Sequence, residues 1–156
     1  MGNCLKVGIL GAGNIAGSMA EALNELQKEG KACAYAVASR SQEKALEFAR
    51  KWNITRAYSS YEELASDPEV DLIYIATPHS LHYVQAKLCM EHGKNVLVEK
   101  AFTANARQAE ELFAMAEEKK VFITEAIWTR YMPSREIITG LLREGVIGTP
   151  QILEAE

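Results

Sequence analysis

Residues 7–20 read VGILGAGNIAGSMA: an apolar run that ends in Gly-Ala-Gly and passes directly into residues whose apolar members recur at helical spacing. A strand that hands over to a helix needs no bare backbone for its own sake. Gly11, Gly13 and Ala16 fit G-x-G-x-x-G/A after an expected strand and at the opening of an expected helix, the setting that gives this short pattern meaning. In that setting Gly11 makes the sharp turn and Gly13 leaves its α-carbon bare so that a pyrophosphate can approach. Ala16 lets the helix lie close to the strand. The free N–H groups at the helix start, at Asn14 and Ile15, together with the helix dipole, would hold the phosphates. A glycine turn without a ligand, and the comparable loop of S-adenosylmethionine methyltransferases, are competing readings of the same residues.

Outward from this point the chain alternates short apolar runs with longer stretches of helical period. Leu5 to Leu10 reads as a strand, and Ile15 to Lys28 as a helix with Ile15, Met19, Ala22, Leu23 and Leu26 on one face. Ala34 to Ala38 is a second strand; Ser41 opens a helix carrying Ala45, Leu46, Phe48, Ala49 and Trp52. Ser60 stands three residues before Glu63, a capping box that starts a short helix. Leu72 to Ala76, Val96 to Val98 and Val121 to Thr124 read as strands. The helices between and after them span Leu81 to Glu91, Asn105 to Lys120 (Ala109, Leu112, Phe113 and Ala116 inward) and Arg135 to Arg143. Strands apolar on both faces and separated by helical crossovers imply a parallel sheet covered on both sides. The expected fold is therefore α/β, a doubly wound parallel sheet, over residues 1–126. A connecting helical segment over 127–149 should follow, and residues 150–156 are expected to begin a further domain that this chain does not contain.

Bulk properties narrow the function. The chain has 156 residues, 48% of them hydrophobic and 24% charged, and a net charge of -4, so no basic field would gather nucleic acid or anionic membrane. The balance shifts toward a small-molecule partner. Cys4, Cys33 and Cys89 lie in apolar segments without C-x-x-C spacing, which fits buried free thiols in a reducing cytosol. No apolar stretch approaches the ~20 residues of a membrane span, and the opening MGNCLKVG lacks a signal-peptide apolar region.

In an open parallel sheet the ligand lies beyond the carboxyl ends of the strands. After the second strand, Ser39, Arg40 and Ser41 stand where an NAD site would carry a carboxylate; a hydroxyl and a guanidinium suit a 2′-phosphate, so NADP is preferred to NAD. Thr77 and Pro78 end a later strand where backbone can run along the nicotinamide ribose, and His79 and His82 follow; His82 reads as a hydrogen bonder at a helix start ahead of a catalytic group. Two histidines three apart, with no third ligand nearby, make a poor zinc site, so no metal is expected. Lys100 is a lone cation directly after an apolar strand, preceded by Glu99. It can act as a proton donor or acceptor to a substrate oxygen, or simply pair with a neighbouring charge.

The stretches GILGAGNIA, ATPHSLH, VLVEKA and EAIWTRYMPS, in this order and spacing, resemble the N-terminal half of the Gfo/Idh/MocA oxidoreductases. The last of them resembles the branch with dihydrodiol dehydrogenase, D-xylose dehydrogenase and glucose-fructose oxidoreductase. The resemblance implies a Rossmann fold and hydride transfer between a nicotinamide and the hydroxyl-bearing carbon of a sugar, polyol or diol. Lys100 would be the catalytic residue, Glu99 would sit by the nicotinamide end, and Trp128 and Arg130 would line the cofactor. It implies also a missing α+β domain that completes the substrate pocket and a homo-oligomer interface. The family pattern has proline after the lysine, often with a cis peptide before it; here Ala101 stands there, a residue for which trans is strongly favoured. A non-catalytic nucleotide-binding sensor is the alternative function.

Overall fold

The structure is a computed structural model, and it describes residues 4–152 and 154. The chain forms two compact units, Met1–Ala126 and Ile127–Glu156. In the first unit, strands and helices follow as β1 (Leu5–Leu10), α1 (Asn14–Lys28), β2 (Ala32–Ala38), α2 (Gln42–Trp52), β3 (Arg56–Tyr58), α3 (Tyr61–Ala65), β4 (Leu72–Ile75), α4 (His82–Glu91), β5 (Asn95–Val98), α5 (Ala106–Lys119) and β6 (Ile123–Glu125). The second unit holds a 3-10 turn at Trp128–Tyr131 and α6 (Pro133–Arg143).

All six strands are parallel, in the order β3-β2-β1-β4-β5-β6, so the chain reverses direction of travel across the sheet after β3. The period-2 geometry of a strand sends alternate side chains to opposite faces. Val7, Ile9 and Tyr74 pack under α1 and α2 with Ala16, Ala20 and Phe48. Leu10, Ile73, Ile75, Val96 and Val98 pack on the other face against α3, α4 and α5. Each fully buried Leu, Ile or Val contributes roughly 1.5–3 kcal/mol. That two-sided burial is why these strands read as unbroken apolar runs.

Helix starts separate structure from function. Ser41 caps α2 by accepting from the Lys44 N–H at 3.3 Å, and Asn105 caps α5 by accepting from Gln108 at 3.1 Å. Ser60 and Glu63 form the expected reciprocal capping box on α3. α1 begins instead at Gly13, with no side-chain cap and no acidic residue in its first turn. At the opposite end of the sheet, the buried Lys94 ammonium donates to the carbonyls of Asp67 (2.5 Å) and Val70 (2.8 Å) and ties down the loop before β4.

Several expectations change. The buried residues of α1 are Ala16, Gly17, Ala20 and Leu23, while Ile15 is 48% and Leu26 36% exposed and Ala22 is exposed. Small residues face the sheet because the helix lies close to it. On α2, Leu46 is exposed. On α5, Phe113 is 50% exposed, its ring stacked on Phe102 at a centroid distance of 5.3 Å rather than in the core. β3 is an additional strand that the sequence pattern does not show, and α6 starts two residues early, at Pro133, which suits a first helical position. The three cysteines are free; Cys89 is buried, its thiol pushed up to about 12 by desolvation, whereas Cys4 and Cys33 are half-buried. Gln151 and Ile152 form no strand, and Leu153, Ala155 and Glu156 lie outside the described residues.

Candidate functional site

The carboxyl edge of the sheet is stitched past the ends of its strands. The N–H groups of Gly11, Ala76, Glu99 and Ala126 donate to Ala38, Leu10, Ile75 and Val98 of the neighbouring strands at 2.7–3.0 Å. The turns carrying the expected site residues are thereby fixed in one row. Gly11 has φ +107°, and a β-carbon on it would stand 2.9 Å from the Ala76 carbonyl oxygen, so two requirements select glycine there. Gly13 differs: its φ of -97° and ψ of -172° are open to any residue, and an added β-carbon would meet no atom within 4 Å. Gly13, Asn14 and Ile15 are exposed, and no side chain caps the first turn. The helix end thus presents uncompensated N–H groups and positive dipole toward open space.

Beyond β2, Ser39 is half-buried, its Oγ accepting from the Ser41 N–H at 3.4 Å, and Arg40 is exposed. A groove of about 460 Å³ runs beside the glycine turn between α1 and α2, lined by Gly13, Asn14, Ser18, Lys44, Lys51 and Trp52 among others. It brings Lys44 to the side of the turn, a cation that sequence reading missed because a lysine in a helix's first turn looks like any solvated charge.

Beyond β4, Thr77 is buried and its hydroxyl donates to Gln85 at 2.5 Å; Pro78 and His79 are exposed. His82 is fully buried at the start of α4, with Nδ1 2.8 Å from the Ala101 carbonyl and Nε2 2.9 Å from the Thr77 carbonyl. The structure gives the ring two main-chain carbonyl partners and no side-chain cap to α4. One ring joins two turns of the edge, the one after β4 and the one after β5.

At the end of β5, Glu99 is half-buried and accepts from the Tyr74 hydroxyl at 2.5 Å and from the Lys100 N–H at 3.1 Å. Burial, and then that hydrogen bond, push the Tyr74 hydroxyl well above the usual phenol range, which keeps it a donor. Lys100 is exposed, and among the described residues its ammonium has no hydrogen bond or ion pair, so the ion-pair reading has no partner. The Lys100–Ala101 peptide is cis. Trp128 and Arg130 belong to the second unit, on its 3-10 turn, and both are exposed. Among the described residues no cluster of three or more His, Cys, Asp or Glu could hold a metal, and no helix is long and apolar enough to cross a membrane.

A parallel sheet wound in both directions from β1, with an uncapped glycine turn at its carboxyl edge, defines a Rossmann fold of the dinucleotide-binding class. The chain belongs to the Gfo/Idh/MocA oxidoreductases: the family's model, an oxidoreductase family with an NAD-binding Rossmann fold, matches residues 5–126. The chain is 42% identical over 151 residues to the trans-1,2-dihydrobenzene-1,2-diol dehydrogenase of Xenopus tropicalis, covering 97% of this chain and 46% of that protein. The human dehydrogenase of that name is 40% identical over 152 residues, with 97% and 45% covered. The chain thus spans about half the length of the curated relatives it matches. Among solved structures, KijD10, a 3-ketoreductase from Actinomadura kijaniata in complex with NADP, superposes with a TM-score of 0.82 at 32% identity, covering 94% of this chain and 46% of that one. An NAD binding oxidoreductase from Klebsiella pneumoniae gives 0.85 at 28% identity, covering 92% and 40%.

Proposed function

We propose that this chain is the cofactor-binding half of an NADP-dependent oxidoreductase that acts on the hydroxyl-bearing carbon of a sugar, polyol or diol. The observation that carries the reading is the pairing, on one sheet edge, of an uncapped α1 whose Gly13 faces open space with an unpaired Lys100 on a fixed turn. The dinucleotide fits these residues, because the space a β-carbon at Gly13 would fill is clear and the amides of Asn14 and Ile15 are available to its phosphates. Its nicotinamide, when bound, supplies the acceptor or donor of a hydride. Ser39 and Arg40, with Lys44 alongside, take the adenosine ribose and its 2′-phosphate; Thr77, Pro78 and His79 form the wall along the other ribose. Lys100 hydrogen-bonds the substrate oxygen and gives or takes its proton as the carbon changes oxidation state. Glu99 holds the turn from which Lys100 works; Trp128 and Arg130 are assigned to the cofactor by the family resemblance of their stretch alone. The remaining half would supply the rest of the substrate pocket and a homo-oligomeric interface, in a cytosolic protein.

The experiment is a calorimetric titration with NADPH and NADH. Wild-type protein should bind NADPH more tightly. Arg40→Ala should weaken NADPH by about tenfold to a hundredfold through loss of charge-assisted hydrogen bonds to the 2′-phosphate, while NADH changes little. Equal losses for both nucleotides would contradict the NADP preference.

A further inference from the structure

The turn after β5 is held on every side of Lys100 by groups from its three neighbours. The Glu99 carboxylate takes Tyr74 of β4 and the Lys100 N–H. His82 of α4 bonds the Ala101 carbonyl at 2.8 Å, and the Phe102 N–H donates to Glu125 Oε1, at the end of β6, at 2.8 Å. The backbone is thus fixed through four consecutive residues while the Lys100 ammonium stays unpaired among the described residues. Glu125 is the member of this arrangement with no other assignment. It is half-buried, and among the described residues the hydrogen bond its side chain makes is the one to Phe102. A carboxylate withdrawn from water in this way needs a partner to offset its desolvation, and an ionised acceptor on a backbone N–H is about twice as strong as a neutral one.

We propose that Glu125 is a positioning residue for Lys100: it grips the Phe102 N–H and, with His82 on Ala101, fixes the backbone that carries the catalytic ammonium. The inference rests on the reading of Lys100 as the proton-handling group. A displacement of ~1 Å at such a group is enough to cost on the order of a hundredfold in rate.

Amide hydrogen exchange at Phe102 tests the grip directly, and steady-state kinetics of the full-length protein test its consequence. In wild type the Phe102 amide should be protected; a freely exchanging amide would overturn the proposal without any substitution. Glu125→Ala should lose that protection and lower kcat by about tenfold to a hundredfold, with the NADPH Kd unchanged within about twofold. Glu125→Gln keeps an acceptor oxygen in place and should retain protection and most of kcat. Equal kcat losses in both variants, with Phe102 still protected in the glutamine form, would overturn the positioning role. Full kcat in Glu125→Ala beside a lost rate in Lys100→Met would overturn it alone, whereas full kcat in Lys100→Met would remove the lysine reading itself.

Discussion

Replacing Gly13 with valine should abolish nucleotide binding and leave the fold intact. The two effects separate because the backbone at Gly13 is extended, where valine is comfortable, and because a β-carbon there meets no protein atom within 4 Å. Nothing in the fold requires the side chain to be missing there; the proposed pyrophosphate on the α1 amides would. Valine's methyl groups would occupy that place, and the NADPH Kd should rise by about a hundredfold or more, some 2.7 kcal/mol. The melting temperature should move by no more than about 2 °C. The same substitution at Gly11 would be uninformative, since a side chain at φ +107° collides with the Ala76 carbonyl and damages the fold as well. Thermal melting and calorimetry on one preparation check the prediction; undiminished NADPH affinity in a folded Gly13→Val protein would contradict it.

Lys100→Met should remove chemistry and spare binding. Methionine keeps much of the length of the side chain and discards the ammonium, the group able to move a proton at the substrate oxygen. The turn beneath it is held through main-chain groups and the side chains of Tyr74, His82 and Glu125, so the substitution leaves those bonds in place. In the full-length protein the rate of alcohol oxidation should fall by about 10²–10⁴-fold, the usual worth of a positioned acid–base group. The NADPH Kd should stay within about twofold, because the interaction lost under the proposed role is with the reacting oxygen in the transition state. A rate within threefold of wild type would instead favour a nucleotide-binding sensor in which Lys100 is an ordinary surface charge.

Much of this architecture is legible in the residues, for identifiable reasons. Strands such as Leu72–Ile75 are buried on both faces and therefore have no polar phase to confuse the reading. Ser60 and Glu63 announce a helix start because both halves of the capping box are local. What escapes the sequence is non-local or weakly apolar. β3 is three residues long, carries Arg56 and Tyr58 and is paired to β2 alone, so it shows no periodicity. The inner face of α1 is Ala16, Gly17 and Ala20, small because the helix approaches the sheet closely, while the larger Ile15 and Leu26 draw the eye to the wrong side.

The site divides in the same way. Gly11, Gly13, Thr77 and Lys100 announce themselves at strand ends, where local pattern and topology coincide. Tyr74 and Glu125 do not, because a tyrosine inside a strand and a glutamate at its end have many uses. Only the folded sheet brings Tyr74 to Glu99, 25 positions away, and Glu125 to Phe102, 23 away. His82 lies between these cases: its place at a helix start suggests a hydrogen-bonding role, but not the two carbonyls it joins.

The most direct measurement is a ¹⁵N–¹H amide titration of this chain with NADPH. Saturable shifts that are largest at Gly13, Asn14, Ile15 and Arg40 are expected. An absence of saturable change up to about millimolar nucleotide, or shifts gathered at the opposite edge around Asp67 and Lys94, would contradict a dinucleotide site on the bare turn after β1.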